Sequence, residues 1–418
     1  MSTPANASLS SLPTGDLAHL SDVATALIHH PYQPPGGFET VQPGVHKAST
    51  VIFENTAALK TRQWKDKSGY TYGLHGTPTT FTLEERLATL EGGLQALLVP
   101  SGLAAIALVD MALLKSGDEV LIPDNAYGPN KDFASGELAN WGVTHRFYDP
   151  LRADLLPALI SDRTKLIWLE AAGSVTLEFP DLLGLLRVVR RHSQIKVALD
   201  NTWGAGLALS AFELDPGEGL TKGVDISVHA LTKYPSGGAD VLMGSVVTRD
   251  EALHLQIKLA HMRLGLGVGA NDAEAVLRGL PSLPLRYAAH DAATREVAHW
   301  LSQRSEFACV LHPALANAPG HAYWKETCEA AGGLVSVVFD ERFSSTQIDV
   351  FIDALRLFKI GYSWGGPVSL VVPYKLSYMR SLDSSIQGNL VRFAIGLERT
   401  EDLIADLEQA LRSLVLRT

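Results

Sequence analysis

Two segments of the sequence read IKVALDNTW (residues 195–203) and DISVHALTKYPSGG (residues 225–238), and they decide the fold. Each segment begins with a short apolar run and ends in polar or charged residues. Runs that are apolar throughout and separated by helical stretches are typical of parallel strands in an α/β domain. We therefore predict strands at Lys196–Asp200 and Ile226–His229. Ligands of open α/β sheets bind at the carboxyl ends of strands, so the residues just beyond these runs are the first candidates for a site.

The same alternation continues on both sides of these segments. We predict strands at Glu119–Pro123, Thr144–Tyr148, Leu166–Glu170 and Gly244–Val247, a short apolar run at Ala96–Val99, and helices at Leu103–Leu114 and Asp181–Arg191. Thr82 to Glu85 has the pattern of a capping box at the start of another helix. After about Leu280 the pattern becomes mixed: helices are predicted at Leu285–Ser302, Gln347–Phe358 and Glu401–Val415, and strands at Gly333–Phe339 and Asn389–Ile395. This mixture predicts a smaller α+β domain.

Composition excludes several classes of protein. The chain has 418 residues, 46 % of them hydrophobic and 19 % charged, with a net charge of −10. This balance excludes a disordered protein, and the acidic charge argues against nucleic-acid binding. Only two cysteines, Cys309 and Cys328, are present, which excludes a disulfide framework, and no metal-ligand spacing occurs. No Lys or Arg precedes residue 47, and no uninterrupted apolar stretch reaches membrane length. We expect a cytoplasmic protein without a metal site or a membrane anchor.

Three strand ends carry side chains with distinct chemistry. Ser101, Gly102 and Leu103 open a helix, where free N–H groups favour an anion, although Ser is also a common helix cap. Asp200 ends a buried run and could pair with a protonated ring nitrogen, or form only a local turn with the residues that follow. Lys233 stands between an apolar strand and a glycine-rich loop. Desolvation there would lower its pKa and expose a neutral amine for Schiff-base chemistry, whereas a surface lysine is the alternative.

Further candidates lie at other strand ends and in the second domain. Tyr127 lies beyond the strand that ends near Pro123, and Glu170 ends another strand. Arg392 lies on a predicted buried strand, where it could bind the carboxylate of an amino acid or form a structural ion pair. A phosphate cradle, an acid for a ring nitrogen and a lysine nucleophile at one sheet edge together match the needs of pyridoxal phosphate (PLP).

Several segments resemble those of a known family. These are YTYGLHGTPTTFTLEERLATLE (residues 70–91), DNTW (200–203), ALTKY (230–234), YSWGG (362–366) and RFAIGLE (392–398). They occur in the family's order, and on them the chain resembles the PLP-dependent cystathionine lyases and synthases of Cys/Met metabolism, fold type I. The segment YSWGG resembles the β-lyase branch of that family.

The resemblance implies a fold and a domain organisation. It implies a fold-type-I, PLP-dependent transferase-like α/β architecture, with a mainly parallel seven-stranded sheet flanked by helices. The expected parts are an N-terminal arm (residues 1–67), a large PLP-binding domain (68–281) and a smaller C-terminal α+β domain (282–418). It also implies a homotetramer, a dimer of dimers with active sites at the dimer interface.

The resemblance also assigns roles to individual residues. Lys233 would hold the cofactor and remove the Cα proton of the substrate, Asp200 would pair with the pyridine nitrogen, and Tyr127 would stack on the ring. The phosphate would be held by Ser101, Gly102, Leu103, Ser227 and Thr232, and by Tyr72 of a neighbouring subunit. The substrate carboxylate would be bound by Arg392, Ser363 and Trp364.

The activity implied is carbon–sulfur β-elimination from an amino-acid substrate in methionine biosynthesis by transsulfuration. A γ-lyase, a cysteine desulfhydrase or a sulfhydrylase would share the same cofactor residues. Amino-acid racemisation as a side activity would share Cα deprotonation, and a non-enzymatic PLP-binding protein is the alternative from another class.

The chain departs from the family pattern at two places. Leu74 occupies a position where the family usually has an arginine that reaches the cofactor phosphate across the dimer interface. His75, or Arg62 with Lys65 and Lys67, are the candidates to replace that charge. The segment from Phe212 to Gly223 lengthens the stretch between Asp200 and Lys233, and we predict that it is a surface insertion.

Overall fold

The computed structural model describes residue 37 and residues 40–376, 379–382 and 386–415. The chain divides into residues 1–43 and residues 44–418. The architecture below belongs to the second of these units. The helical spacing of Leu17, Leu20, Val23 and Leu27 predicts a short helix at residues 16–29, and this segment lies outside the described residues.

The larger sheet has seven strands. They are β1 (Gln95–Val99), β2 (Glu119–Pro123), β3 (Thr144–Tyr148), β4 (Thr164–Glu170), β5 (Lys196–Asp200), β6 (Ile226–Ala230) and β7 (Gly244–Thr248). Their order is β1-β7-β6-β5-β4-β2-β3, and only β7 runs antiparallel to its neighbours. The prediction of a mainly parallel seven-stranded sheet is confirmed.

Helices cover both faces of this sheet. The longer ones are Pro78–Glu91, Gly102–Leu113, Leu182–Val189, Glu251–Leu264 and Ala270–Gly279, with short helical segments at Thr56–Lys60, Gly73–His75, Gly128–Phe133, Ala134–Leu138, Ala153–Ala158 and Leu280–Ser282. An apolar core lies on each face of the sheet. On β4, for example, Trp168 packs into the core on one face and its neighbour Leu169 into the core on the other. Burial of both faces is why these strands are apolar throughout.

The smaller sheet has five strands. They are β8 (Phe307–Leu311), β9 (Leu334–Phe339), β10 (Lys359–Ile360), β11 (Leu370–Lys375) and β12 (Asn389–Ala394), in the order β10-β11-β12-β9-β8. The accompanying helices are Leu283–Ser302, His321–Thr327, Ser345–Ala354 and Thr400–Val415. This part is α+β as expected, although β8, β10 and β11 are not predicted from the sequence. The domain boundaries at residues 67 and 281 stay predictions.

Two predicted details are wrong. The capping box is not at Thr82, because the helix already begins at Pro78 with Thr77 as its cap and Thr80 completing the box. Proline is favoured in the first turn of a helix, since its missing N–H needs no partner there.

The helix predicted to reach Phe358 ends at Ala354. The carboxylate of Asp406 accepts hydrogen bonds from the backbone N–H groups of residues 356–358 and draws the chain away from the helix.

The segment from Phe212 to Gly223 forms part of the connection between β5 and β6. Phe212 and Leu214 are buried and hold it against the protein. Asp215 and Lys222 form an exposed ion pair at 2.9 Å. The middle of this segment therefore lies at the surface, as predicted.

Candidate active site

A cavity of about 910 Å³ lies at the carboxyl ends of the strands of the larger sheet. Part of its wall comes from strands of the smaller sheet and from the segment that precedes β11. Ten of the twelve predicted site residues line it: Ser101, Gly102, Leu103, Tyr127, Asp200, Thr232, Lys233, Ser363, Trp364 and Arg392. Residues far apart in the chain thus meet in one site because parallel strands end at the same sheet edge.

Lys233 follows β6 and reaches into this cavity. Its Nζ donates a hydrogen bond to Oγ of Ser363 at 2.8 Å and lies 5.4 Å from the ring centroid of Trp364. Burial lowers the pKa of the amine to about 8; the positive charge of Arg392 adds to this effect and Asp200 opposes it. A substantial fraction of the amine is therefore neutral and nucleophilic near neutral pH.

Asp200 is the last residue of β5. Its Oδ1 accepts a hydrogen bond from the backbone N–H of Thr202 at 3.0 Å, so the local turn considered from the sequence is present. The same carboxyl also lines the cavity. Burial raises its pKa, and the hydrogen bonds from Thr202 and the charge of Lys233 oppose the rise.

The N-terminus of the helix Gly102–Leu113 forms another part of the wall. Oγ of Ser101 accepts a hydrogen bond from the N–H of Ala104 at 3.0 Å, so Ser101 is a helix cap. A Cβ at Gly102 would lie 2.6 Å from Cβ of Ala230 on β6. Glycine therefore lets the helix approach the strand closely. The first N–H groups of a helix lack intrahelical acceptors, and here they face the cavity as a cradle for an anion.

Arg392 on β12 is the buried cation of the cavity. Arg392 is 7 % exposed. Its Nη2 donates a hydrogen bond to the backbone carbonyl of Ser363 at 3.3 Å, and its guanidinium lies 5.4 Å from the ring centroid of Tyr374. Among the described residues, the side chains that act on its charge are those of Tyr374 and Tyr362, and no carboxylate is among them. The structural ion pair considered from the sequence is thus not observed, and the guanidinium can bind a carboxylate.

Thr232 lines the cavity, but its hydroxyl is already engaged. It donates to the carbonyl of Met243 at 3.3 Å and accepts from the N–H of the same residue at 3.1 Å. Its role towards a phosphate stays a prediction.

The structure does not bring Ser227 to the cavity, and we correct that prediction. The hydroxyl of Ser227 donates to Oε2 of Glu91 at 2.9 Å on the other face of β6. Glu91 also accepts from Nδ2 of Asn201 at 3.0 Å and lies 2.9 Å from Nδ1 of His229. Side chains alternate along a strand, so Ser227 and His229 share one face. Glu91 carries no signal in the sequence that identifies this buried network.

Tyr72 also lies outside the cavity and is 46 % exposed, with its Oη 3.4 Å from Oγ of Ser49. Its role towards a neighbouring subunit stays a prediction. Leu74 lies in the adjoining turn and packs beside Gly267. Of the candidate replacement charges, Lys67 is already paired with Glu84 at 3.1 Å and with Glu85.

The arrangement fits PLP. An amine with a lowered pKa, a carboxylate and a glycine-lined helix N-terminus surround one cavity and match the aldehyde, the ring nitrogen and the phosphate of this cofactor. Among the described residues no group of three or more His, Cys, Asp or Glu could hold a metal ion. Within the same part of the chain, no helix is long and apolar enough to span a membrane.

Comparison with known proteins gives consistent results. Residues 24–412 match the family described as Cys/Met metabolism PLP-dependent enzyme. The cystathionine beta-lyase of Bordetella avium is 38 % identical over 94 % of this chain and 97 % of its own length, and that of Haemophilus influenzae is 33 % identical over 93 % and 97 %. The crystal structure of metB from Corynebacterium glutamicum superimposes with a TM-score of 0.82 at 29 % identity, covering 94 % of this chain and 98 % of that one.

Proposed function

Because the chain belongs to the Cys/Met metabolism PLP-dependent enzymes, we propose that it catalyses carbon–sulfur β-elimination. The substrate we propose is L-cystathionine, with homocysteine, pyruvate and ammonia as products. The relatives named cystathionine beta-lyase, which match over nearly their whole length, support this choice.

One observation carries the proposal: Ser363 joins Lys233 to Arg392. Its hydroxyl accepts from the amine and its carbonyl accepts from the guanidinium. A carboxylate bound to Arg392 would therefore place the Cα of an amino acid close to the amine of Lys233. This geometry suits removal of the Cα proton.

Each residue then has a defined task. PLP, when bound, supplies an electron sink for the carbanion that forms at Cα. Lys233 holds the cofactor covalently, and its amine, once released, accepts the Cα proton. Asp200 keeps the ring nitrogen protonated, while Arg392 orients the substrate through its carboxylate. Burial, with the negative charge of Asp200, raises the pKa of Tyr127, so its phenol stays protonated and suits stacking rather than general-base work.

A γ-lyase, a desulfhydrase or a sulfhydrylase would use the same residues, and a racemase would share the first proton transfer. The test is to incubate the protein with PLP and L-cystathionine and to identify the keto acid. Pyruvate is expected. Release of 2-oxobutyrate would place the cleavage at Cγ–S and overturn the proposal.

A matched pair of variants completes this test. Lys233→Ala should abolish pyruvate formation, because the amine is lost. Lys222→Ala removes an exposed lysine of the surface loop and should retain it. If Lys233→Ala lost pyruvate formation but kept the full biological effect of the protein, a non-enzymatic PLP-binding protein would be favoured instead.

We also propose a cytoplasmic homotetramer, a dimer of dimers with active sites at the dimer interface. Exposed Tyr72 and the neighbouring exposed Ile52, Leu59 and Tyr70 support a contact with a second subunit. Sedimentation equilibrium with and without PLP tests the assembly, and a monomer with full activity would contradict it.

A further inference from the structure

A second carboxyl group, that of Glu170, lies beside Asp200 in the cavity wall. Glu170 is the last residue of β4 and Asp200 the last of β5, and the two are direct neighbours in the parallel register. Side chains of registered neighbours point to the same face, and both residues line the cavity. Two carboxyl groups this close in a buried site cannot both be ionised without a large electrostatic cost.

The surroundings decide which of the two keeps a proton. Asp200 accepts a hydrogen bond from Thr202 and has the positive charge of Lys233 nearby. Among the described residues, Glu170 accepts one hydrogen bond, from the backbone N–H of Tyr127 to its Oε2 at 2.8 Å. Burial raises the pKa of Glu170 well above its ordinary value, and the charge of Asp200 adds to the rise. The proton therefore belongs on Glu170.

Other titratable groups near Glu170 do not reverse this assignment. Tyr148 on β3 donates its hydroxyl proton to the carbonyl of Trp168, and burial raises its pKa, so it stays neutral. Arg380 contributes positive charge and Glu178 negative charge, and these two lie 3.7 Å apart, so they largely compensate each other.

We propose that Glu170 is a positioning residue that remains protonated beside Asp200, fixes the backbone of Tyr127, and confines the negative charge of this strand pair to Asp200. Its Oε1 makes no hydrogen bond to the described residues, so the O–H group is free to donate to a ligand in the cavity. Asp200 is then the carboxylate available to the ring nitrogen. The inference rests on the family's cofactor site and not on which carbon–sulfur bond is cleaved.

Infrared difference spectroscopy in D2O tests the proton directly. The holoenzyme is compared with Glu170→Gln at neutral pH, and Asp110→Asn serves as a control for another buried carboxyl. Wild type minus Glu170→Gln should show the C=O stretch of a protonated carboxylic acid, and this band should persist in Asp110→Asn, which removes only the separate band of Asp110. A pair of carboxylate bands lost in Glu170→Gln would overturn the proposal.

Cofactor affinity supplies the second test, by equilibrium dialysis with PLP and no substrate. Glu170→Gln keeps a neutral acceptor for the N–H of Tyr127, so its dissociation constant should stay within about threefold of the wild type. Glu170→Leu removes the acceptor, and a loss of about tenfold is expected, the effect of one buried hydrogen bond. Equal losses in both variants would show that the charge of Glu170 is required, and no loss in Glu170→Leu would remove its role in holding Tyr127. Neither measurement depends on the proposed substrate.

Discussion

The pKa of Lys233 leads to a quantitative prediction about cofactor attachment. Only the neutral amine attacks the aldehyde of PLP. With a pKa of about 8, roughly 10 % of the amine is neutral at pH 7, whereas an ordinary lysine at 10.5 would be only about 0.03 % neutral. Burial and Arg392 thus increase the reactive fraction by ~300-fold at pH 7. The rate of attachment should rise tenfold per pH unit and level off above pH 8.

The perturbation is Arg392→Met, which removes the positive charge that helps to lower the pKa of Lys233. The pH at which the rate levels off should then move upward, because the ammonium form loses a repulsive neighbour. The assay is stopped-flow absorbance of PLP mixed with apoprotein from pH 6 to 10. A wild-type rate that is still rising tenfold per unit near pH 10 would refute the argument, and so would an unchanged midpoint in Arg392→Met.

Three other predictions address the cofactor cradle and stability. Leu74→Arg should bind PLP about tenfold more tightly than the wild type in dialysis, because it restores a cation at a position where the family has one. Equal retention of PLP by the two proteins would show that the missing charge at residue 74 does not affect PLP affinity. Gly102→Ala should weaken PLP binding by about tenfold or more, because its Cβ would clash with Ala230. The control Gly136→Ala should bind PLP like the wild type, since its Cβ meets nothing within 4 Å. Equal PLP affinities in the two variants would refute the role of the helix N-terminus at Gly102 in phosphate binding. Buried Asp110 has its pKa raised to about 7, so its protonated form stabilises the fold at acid pH and this contribution is lost as pH rises from about 4 through 7. The difference in unfolding free energy between wild type and Asp110→Asn should fall by about 1.4 kcal/mol per pH unit over that range, and a pH-independent difference in denaturant titrations would contradict it.

The larger sheet could be predicted because its strands are buried on both faces and are therefore apolar throughout. The smaller sheet is less predictable from the sequence. β11 contains Pro373, which argues against a strand within a sheet. In the structure, β10 pairs only with Leu370 and Val371, so Pro373 lies where β11 is an edge and its missing N–H costs nothing.

For the site, too, features that follow from strand ends can be predicted from the sequence, whereas features that depend on side-chain direction or strand order cannot. Residues that follow strands, such as Asp200 and Lys233, can be predicted because topology alone brings strand ends together. The prediction for Ser227 is wrong because its place in a motif does not reveal which face of β6 it occupies. Glu170 lies at a predicted strand end, but its position beside Asp200 depends on strand order, which a sequence pattern does not contain.

The cavity wall is built from two separate parts of the chain, and this separation affects how substrate specificity can evolve. The residues that we propose to hold the cofactor follow strands of the larger sheet, whereas Ser363, Trp364 and Arg392, which we propose to bind the substrate, lie in one stretch of about 30 residues that includes β11 and reaches into β12 of the smaller sheet. On this proposal, the residues for cofactor attachment and for substrate binding are encoded in separate parts of the gene. Recombination within that stretch would then change the substrate while the cofactor-binding residues are inherited unchanged.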